Sequence, residues 1–270
     1  MKEKIAIFLS FFKDLFANRQ MFRDLVRNDM KSRYAGNVFG IIWAYIQPLV
    51  NLLVMWFVFQ YGFRNSPVDD IEFILWYIAA NVPWLFFSEA VVSSSNCLYE
   101  YGYLVKKVKF RTSILPLVKV LSAGIVHIFL MCFAVFMFLI YGYHPQWMWL
   151  QIIYYSLAEL CLLAGLSWLI SAVSVFIKDF AQLVNIVISI MFWMTPIFWS
   201  PNQMHSELLI IFKLNPVYYI VNGYRQSLIY NVPFWQDMGL TMYFWGITAV
   251  IFIAGAFIYN KLRPHFADLI

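Results

Sequence analysis

Four stretches of this 270-residue chain contain no Asp, Glu, Lys or Arg: those between Arg33 and Arg64, Lys119 and Glu159, Asp179 and Glu207, and Asp237 and Lys261. A helix crosses the hydrocarbon core of a bilayer with about 20 predominantly apolar residues. Taken with the turn signals between them, these runs predict six transmembrane helices, at about 38–61, 71–97, 113–141, 147–177, 180–199 and 238–260. Ser66 and Pro67 mark the first turn, Gly142, His144 and Pro145 the third, and Lys178 and Asp179 the fourth. Pro48 falls inside the first span, where it removes a backbone donor and frees a carbonyl.

Two regions depart from this pattern. In residues 1–34, Phe8, Phe12, Leu15, Phe16, Phe22, Leu25 and Val26 recur at helical spacing, with Lys13, Arg19, Arg23 and Arg27 between them. That pattern predicts an amphipathic helix lying in the membrane interface, its basic face among anionic headgroups. A helix packed on a partner protein is the alternative. Residues 200–237 are too polar, and too broken by Pro201, Pro216 and Pro233, for a simple span. Yet Leu208 to Phe212 are too apolar for a free loop. Short re-entrant helices that dip into the outer leaflet are expected there, since irregular backbone at that depth must be buried in protein or line a wet cavity. The fold class is thus all-α integral membrane. Residues 1–34 form a cytoplasmic interface helix and residues 35–270 a transmembrane domain, with the re-entrant helices before the last span.

Composition agrees. Residues are 63% hydrophobic and only 12% charged, and mean hydropathy is +0.71, too apolar for the surface of a soluble domain. The net charge of +5 does not point to nucleic acid, because the basic residues follow the loops. Sixteen of the nineteen Lys and Arg lie in residues 1–33, residues 98–119, Lys178 and the tail. Arg64, Lys213 and Arg225 are left for the other side. The positive-inside rule then puts both termini in the cytoplasm of a multi-pass cell-membrane protein. No cleavable signal peptide is visible. Cys97, Cys132 and Cys161 lack motif spacing and are expected as buried free thiols.

The sequence offers little for catalysis. It has no GxxxxGK[ST] phosphate loop, no H-E-x-x-H, no C-x-x-C and no G-x-S-x-G. No catalytic residue, metal site or cofactor is assigned, and the four scattered histidines receive no role. Glu89 and Glu159 lie within apparent spans, where an ionisable residue is a functional suspect. Glu89 falls near the cytoplasmic interface and reads as a structural carboxyl. Glu159 lies nearer mid-membrane, where a hydrogen-bonded neutral carboxyl and a pore-lining group are both open. Aromatics make up 20% of the chain, more than an interfacial belt requires. Their faces suit a conduit for a sliding glycan. Between Tyr99 and Arg111 runs an aromatic, basic segment in the only substantial cytoplasmic loop, with the character of a docking site.

In its ordered motifs the chain resembles the permease subunits of type-2 ABC transporters that export lipid-linked polysaccharides. The resemblance covers nearly the whole chain. It begins with Arg23-Asp24-Leu25 and Lys31-Ser32-Arg33-Tyr34, ahead of Gly40, Trp43 and Pro48. Leu104 to Phe110, then Leu115-Pro116, is similar to the family's coupling segment, with Arg111 where the family often has proline. Asp179-Phe180 through Phe192-Trp193-Met194-Thr195-Pro196-Ile197 is the most specific stretch. Asn215 to Val221, Gly223-Tyr224-Arg225 and Leu262 to Asp268 follow it. Within the family, Trp56 to Phe59, Gly62-Phe63-Arg64 and Pro67 look most like the wall teichoic acid branch, whose O-antigen and capsule siblings share the other motifs.

The resemblance implies export of an undecaprenyl-diphosphate-linked polymer by two copies of this chain, each contacting a separate ATPase subunit that binds ATP and Mg. It assigns ATPase coupling to segment 99–111, with Tyr103, Lys106, Lys107 and Phe110. It assigns the interface helix and cytoplasmic entry to Arg23, Lys31, Arg33 and Tyr34. The channel or outer gate, within and before region 200–237, falls to Phe192, Trp193, Phe198, Trp199, Tyr218 and Tyr219. Membrane lipids are expected partners and nucleic acid is not. The rivals are a membrane-embedded glycosyl- or acyltransferase, which needs converging Asp, Glu or His, and an ion-driven transporter, which needs paired intramembrane charges and a repeat.

Overall fold

In the computed structural model, residues 19–62, 71–107 and 111–270 are described. They build an all-helical protein. α1 (Arg19–Arg33) precedes α2 (Trp43–Phe57), which a 3₁₀ turn at Gly40–Ile42 opens and a wide π turn at Val58–Gly62 closes. α3 (Phe73–Glu100) ends beside the one-turn α4 (Gly102–Val105). α5 (Ile114–Ile140) and α6 (Gln151–Ser174) form a long pair. α7 (Phe180–Met194), α8 (Ser206–Lys213) and α9 (Pro216–Arg225) are shorter. α10 (Met238–Leu262) and the terminal α11 (Phe266–Leu269) complete the chain.

Five helical stretches among the described residues are long and apolar enough to cross a membrane: Gly40–Gly62, Phe73–Glu100, Ile114–Ile140, Trp147–Ser174 and Phe234–Leu269. The fifth expected span, 180–199, is shorter than the sequence suggested. α7 stops at Met194 after 15 residues, about 22 Å of helix against a hydrocarbon core of about 30 Å. Pro196 is the cause. A residue before proline is driven from the helical region, and Thr195 adopts an extended conformation (φ −90°, ψ 136°).

α3 is the central helix. From Phe73 to Pro83 every residue is buried, against α5 on one side and α6, α7 and α9 on others. The most extensive pairing is α6 with α10. Two glycines make it possible: a Cβ at Gly255 would collide with the carbonyl oxygen of Gly165, and one at Gly165 would sit 2.7 Å from Cα of Phe252. Without water between helices there is little hydrophobic drive for association, so such small residues let backbones meet in van der Waals contact.

The region before α10 is held by capping. The Asn215 side chain accepts from the amide of Val217 and donates to the Thr195 hydroxyl at 3.0 Å, and Pro216 starts α9 where no donor is needed. Gly223 lies against the ring of Tyr155, leaving no room for a Cβ. The Gln151 side chain bridges the amide of Phe234 and the carbonyl of Val232. α9 is thereby buried in protein, while α8 exposes Leu208, Ile210 and Ile211. The three cysteines are free, but only Cys97 is buried; Cys132 is exposed on α5 and Cys161 half-buried.

Candidate coupling and conduit site

The end of the bundle that carries the basic segments is held by a buried ionic network. Asp29 points inward from α1 and is 1% exposed. Lys119 of α5 donates to it at 2.5 Å and the Tyr101 hydroxyl at 2.8 Å. Arg33, one turn further along α1, pairs with the other carboxylate oxygen at 3.2 Å. Lys119 also pairs with Glu100, and Arg33 with Glu89. A charge this deep is tolerated only when paired and hydrogen-bonded. α1 is thus tied to the carboxyl-terminal half of α3 and the start of α5.

Burial alone would push the Asp29 carboxyl up. The Arg33 and Lys119 charges, with hydrogen bonds from Lys119 and Tyr101, outweigh it and hold the group below its ordinary value. Arg33 is desolvated too, yet the charges of Asp29 and Glu89 raise its pKa above the ordinary one.

Directly beyond this network lies α4. Val105 and Tyr101 are buried in a cluster with Leu98, Leu115, Tyr259 and Phe266. Ile270 packs so closely on α4 that a Cβ at Gly102 would lie 2.9 Å from its side chain. The carboxyl-terminal tail therefore braces this segment. On the outward side, Tyr103 is 62% exposed, and Lys106 and Lys107 are exposed beside it. Phe110 lies outside the described residues, as do Phe63, Arg64 and Pro67.

The four entry residues do not form one site. Arg33 and Tyr34 line a cavity of about 180 Å³ with Gln47 and Asn51 of α2 and Glu89 of α3. Arg23 faces a different crevice, and Lys31 is exposed and lines neither. Gln47 and Asn51, one turn apart, are exposed on α2. On α7, Gln182, Asn185 and Ser189 form a second polar stripe on an exposed face. The Asn185 amide donates to the Ala181 carbonyl and the Ser189 hydroxyl to the Asn185 carbonyl, each one turn back. Isolated polar residues on lipid-facing helices are costly, so two such stripes mark faces that are not meant for lipid.

The aromatics at the far end divide. Phe198 stacks on Phe59 and Tyr77, with Phe192 edge-on. Trp193, 68% exposed, continues the outward face of α7, and the Trp199 indole donates to its carbonyl. Tyr218 and Tyr219, expected to face a conduit or its mouth, are instead 2% and 5% exposed. The cap at Asn215 turns both into the protein, where the Tyr219 ring stacks on Phe244 and its hydroxyl meets those of Tyr154 and Thr241.

Three further groups are buried, and of these the sequence reading singled out only Glu159 as a functional suspect. The imidazole of His127 meets the Tyr224 hydroxyl at 2.9 Å and the Ser156 hydroxyl at 3.3 Å, stacked on Phe86. The spacing of His127, Ser156 and Tyr224 along the chain gives no hint of that meeting. Glu159 is 1% exposed and neither carboxyl oxygen has a hydrogen-bond partner among the described residues. Arg225, counted as a loop charge, is also 1% exposed. Its guanidinium lies 3.3 Å from the ring centroid of Trp76 and donates to the carbonyls of Trp76 and Ile197. That stacking fastens α9 to α3 and to the Thr195–Ile197 turn.

Long apolar spans, a docked amphipathic helix, a short helix with an exposed aromatic and basic side, and polar stripes on uncovered faces are the features of a multi-pass membrane protein. The chain belongs to the ABC-2 type transporter family, whose profile matches residues 20–229. Curated relatives span it almost end to end. It is similar to two proteins named O-antigen export system permease protein RfbA from Klebsiella pneumoniae, 25% identical over 249 residues and 24% over 248, each covering 91% of this chain and 93% of the relative. A protein of the same name from Myxococcus xanthus is 23% identical over 260 residues, covering 96% of this chain and 98% of the relative.

Proposed function

We propose that this chain is the membrane subunit of an ATP-driven exporter of lipid-linked polysaccharide in the cytoplasmic membrane, with both termini in the cytoplasm. Two copies enclose the conduit, and each rests on a separate ATPase subunit. The observation that carries this reading is the pair of polar stripes, Gln47 and Asn51 on α2 and Gln182, Asn185 and Ser189 on α7, on faces that one copy leaves uncovered. Facing each other across a dimer, they make a hydrated path for a glycan, with Trp193 as an apolar platform near the outer end. The polyprenyl diphosphate is met by Arg33 and Tyr34 at the cavity beside α1.

Mechanical work enters through α4 and its continuation toward Arg111. Tyr103, Lys106 and Lys107 dock on the ATPase, and Phe110 is assigned to the same contact. ATP and Mg are bound by that partner. Because Tyr101 is both next to α4 and bonded to Asp29, a displacement of α4 is passed to α1 and α5. For the polymer, the segment from Trp56 to Pro67 favours wall teichoic acid. The names of the full-length relatives favour O-antigen, and both are polymers on a polyprenyl diphosphate.

A tagged copy purified in mild detergent should bring down an ATPase subunit in equal amount. Asn185→Leu should assemble normally and export poorly. A preparation that is active without any ATPase would point to the transferase or the ion-driven rival instead.

A further inference from the structure

Arg19, Phe22, Arg23 and Val26 recur at positions i, i+3, i+4 and i+7, one face of α1. That face roofs a crevice of about 480 Å³ whose walls are α5 and α6. The walls are apolar: Leu121, Ile125 and Ile128 from α5, with Leu157 and Leu160 from α6. Ile125, Ile128 and Leu157 are exposed, so the crevice is open to the bilayer along its length. Gly124 provides its width: a Cβ there would meet only the Phe86 ring, at 3.7 Å. Phe86 and His127 form the inner wall and line the cavity of Arg33 as well. Their stacked rings, 4.7 Å between centroids, divide the two spaces.

We infer that this crevice binds an anionic glycerophospholipid of the leaflet at the basic end of the bundle. The shape is that of an amphiphile: two guanidiniums at the interface, then an apolar trough running along two spans. Neither Arg19 nor Arg23 is in an ion pair among the described residues, so a phosphodiester has two donors to accept from. A second copy of the chain is a poor occupant, since it would bury both cations without counter-charge. The transported lipid is a poor occupant too. The polar stripes lie on α2 and α7, which contribute nothing to this crevice, and the Phe86–His127 wall separates it from the cavity of Arg33. A resident anionic lipid would clamp α1 onto α5 and α6, and this goes beyond the export reading, which stands without it.

The full chain in nanodiscs of equimolar phosphatidylglycerol and phosphatidylcholine tests this by native mass spectrometry of retained lipid. The wild type should keep phosphatidylglycerol in preference. The double variant R19Q/R23Q should lose that preference by about fivefold for each guanidinium removed. Gly124→Phe, which fills the trough and keeps the charge, should lose the lipid altogether. Both arginines are exposed, so the double variant keeps the test valid if Gly124→Phe does not fold. Equal retention of the two lipids by the wild type, or unchanged phosphatidylglycerol in R19Q/R23Q, would overturn the assignment. So would displacement of phosphatidylglycerol by undecaprenyl phosphate at lower concentration than by added phosphatidylglycerol, since that would make the crevice a polyprenyl site.

Discussion

Lys119 and Asp29 meet at 2.5 Å, one from a membrane-crossing helix and one from the helix that precedes the first span, with 2% and 1% of their side chains exposed. Removing Asp29 leaves the buried Lys119 charge to the half-exposed Glu100 alone, in a poorly solvated place. Asp29→Ala should therefore cost about 3 kcal/mol. Asp29→Ala combined with Lys119→Met should recover part of that loss, because the buried cation is then gone and Glu100, which also loses its partner, is half exposed to water. Thermal unfolding of the purified protein in detergent measures both, and equal melting of wild type and Asp29→Ala would remove the network from the account.

The same pair sets a pH dependence. The Asp29 carboxyl has its folded pKa depressed by Arg33 and Lys119 against the opposing effect of burial. Its contribution is complete above the unfolded value, about 4, and is lost as pH falls through the lower folded one. Docking of α1 should be constant from neutral pH down to about 4 and weaken below. A fluorophore on the exposed Arg27 position, reporting contact with α5, follows this. In Asp29→Asn the acid transition should vanish.

Gly165 and Gly255 carry the close crossing of α6 and α10. Gly255→Ala should destabilise by about 3 kcal/mol through overpacking. Gly246, on the same helix, has nothing within 4 Å of where a Cβ would be, and Gly246→Ala should be neutral or slightly stabilising. Parallel melting curves separate the two. A gain at Gly255→Ala equal to that at Gly246→Ala would mean helix propensity, not the crossing, governs α10.

Much of this fold was legible from hydropathy alone. The apolar runs located the long helices because a bilayer dictates both length and composition. The sequence pattern failed where tertiary contacts decide. Pro196 shortened α7, an effect hidden because Ile197, Phe198 and Trp199 remain apolar after the helix has ended. Arg225 read as a loop charge because nothing in its neighbourhood along the chain announces Trp76 or Ile197. Tyr218 and Tyr219 were drawn to the conduit by their aromatic character, but the Asn215 cap turned them inward. The polar stripe of α7 was missed in the sequence, although Gln182, Asn185 and Ser189 stand there at helical spacing. What gave it meaning was the finding that this face is uncovered.

The coupling assignment rests on Tyr103, exposed at the tip of a helix whose other face is buried. Aromatic anchors of this kind dominate many interfaces. Tyr103→Ala should weaken association with the ATPase by about 2 kcal/mol, and Lys106→Ala by less. Pull-down and ATP hydrolysis of the purified complex read this out. Unchanged assembly together with unchanged polymer-stimulated hydrolysis in Tyr103→Ala would move the contact elsewhere.

Export itself is tested most directly by where the lipid-linked polymer resides when the chain is removed. Depletion should cause polyprenyl-diphosphate-linked polysaccharide to accumulate on the inner face of the membrane, out of reach of glycan-cleaving enzymes added to intact cells. Restoring the wild type should return it to the outside, and restoring Asn185→Leu should do so only weakly. Polymer that reaches the outer face at the normal rate in depleted cells would contradict the account.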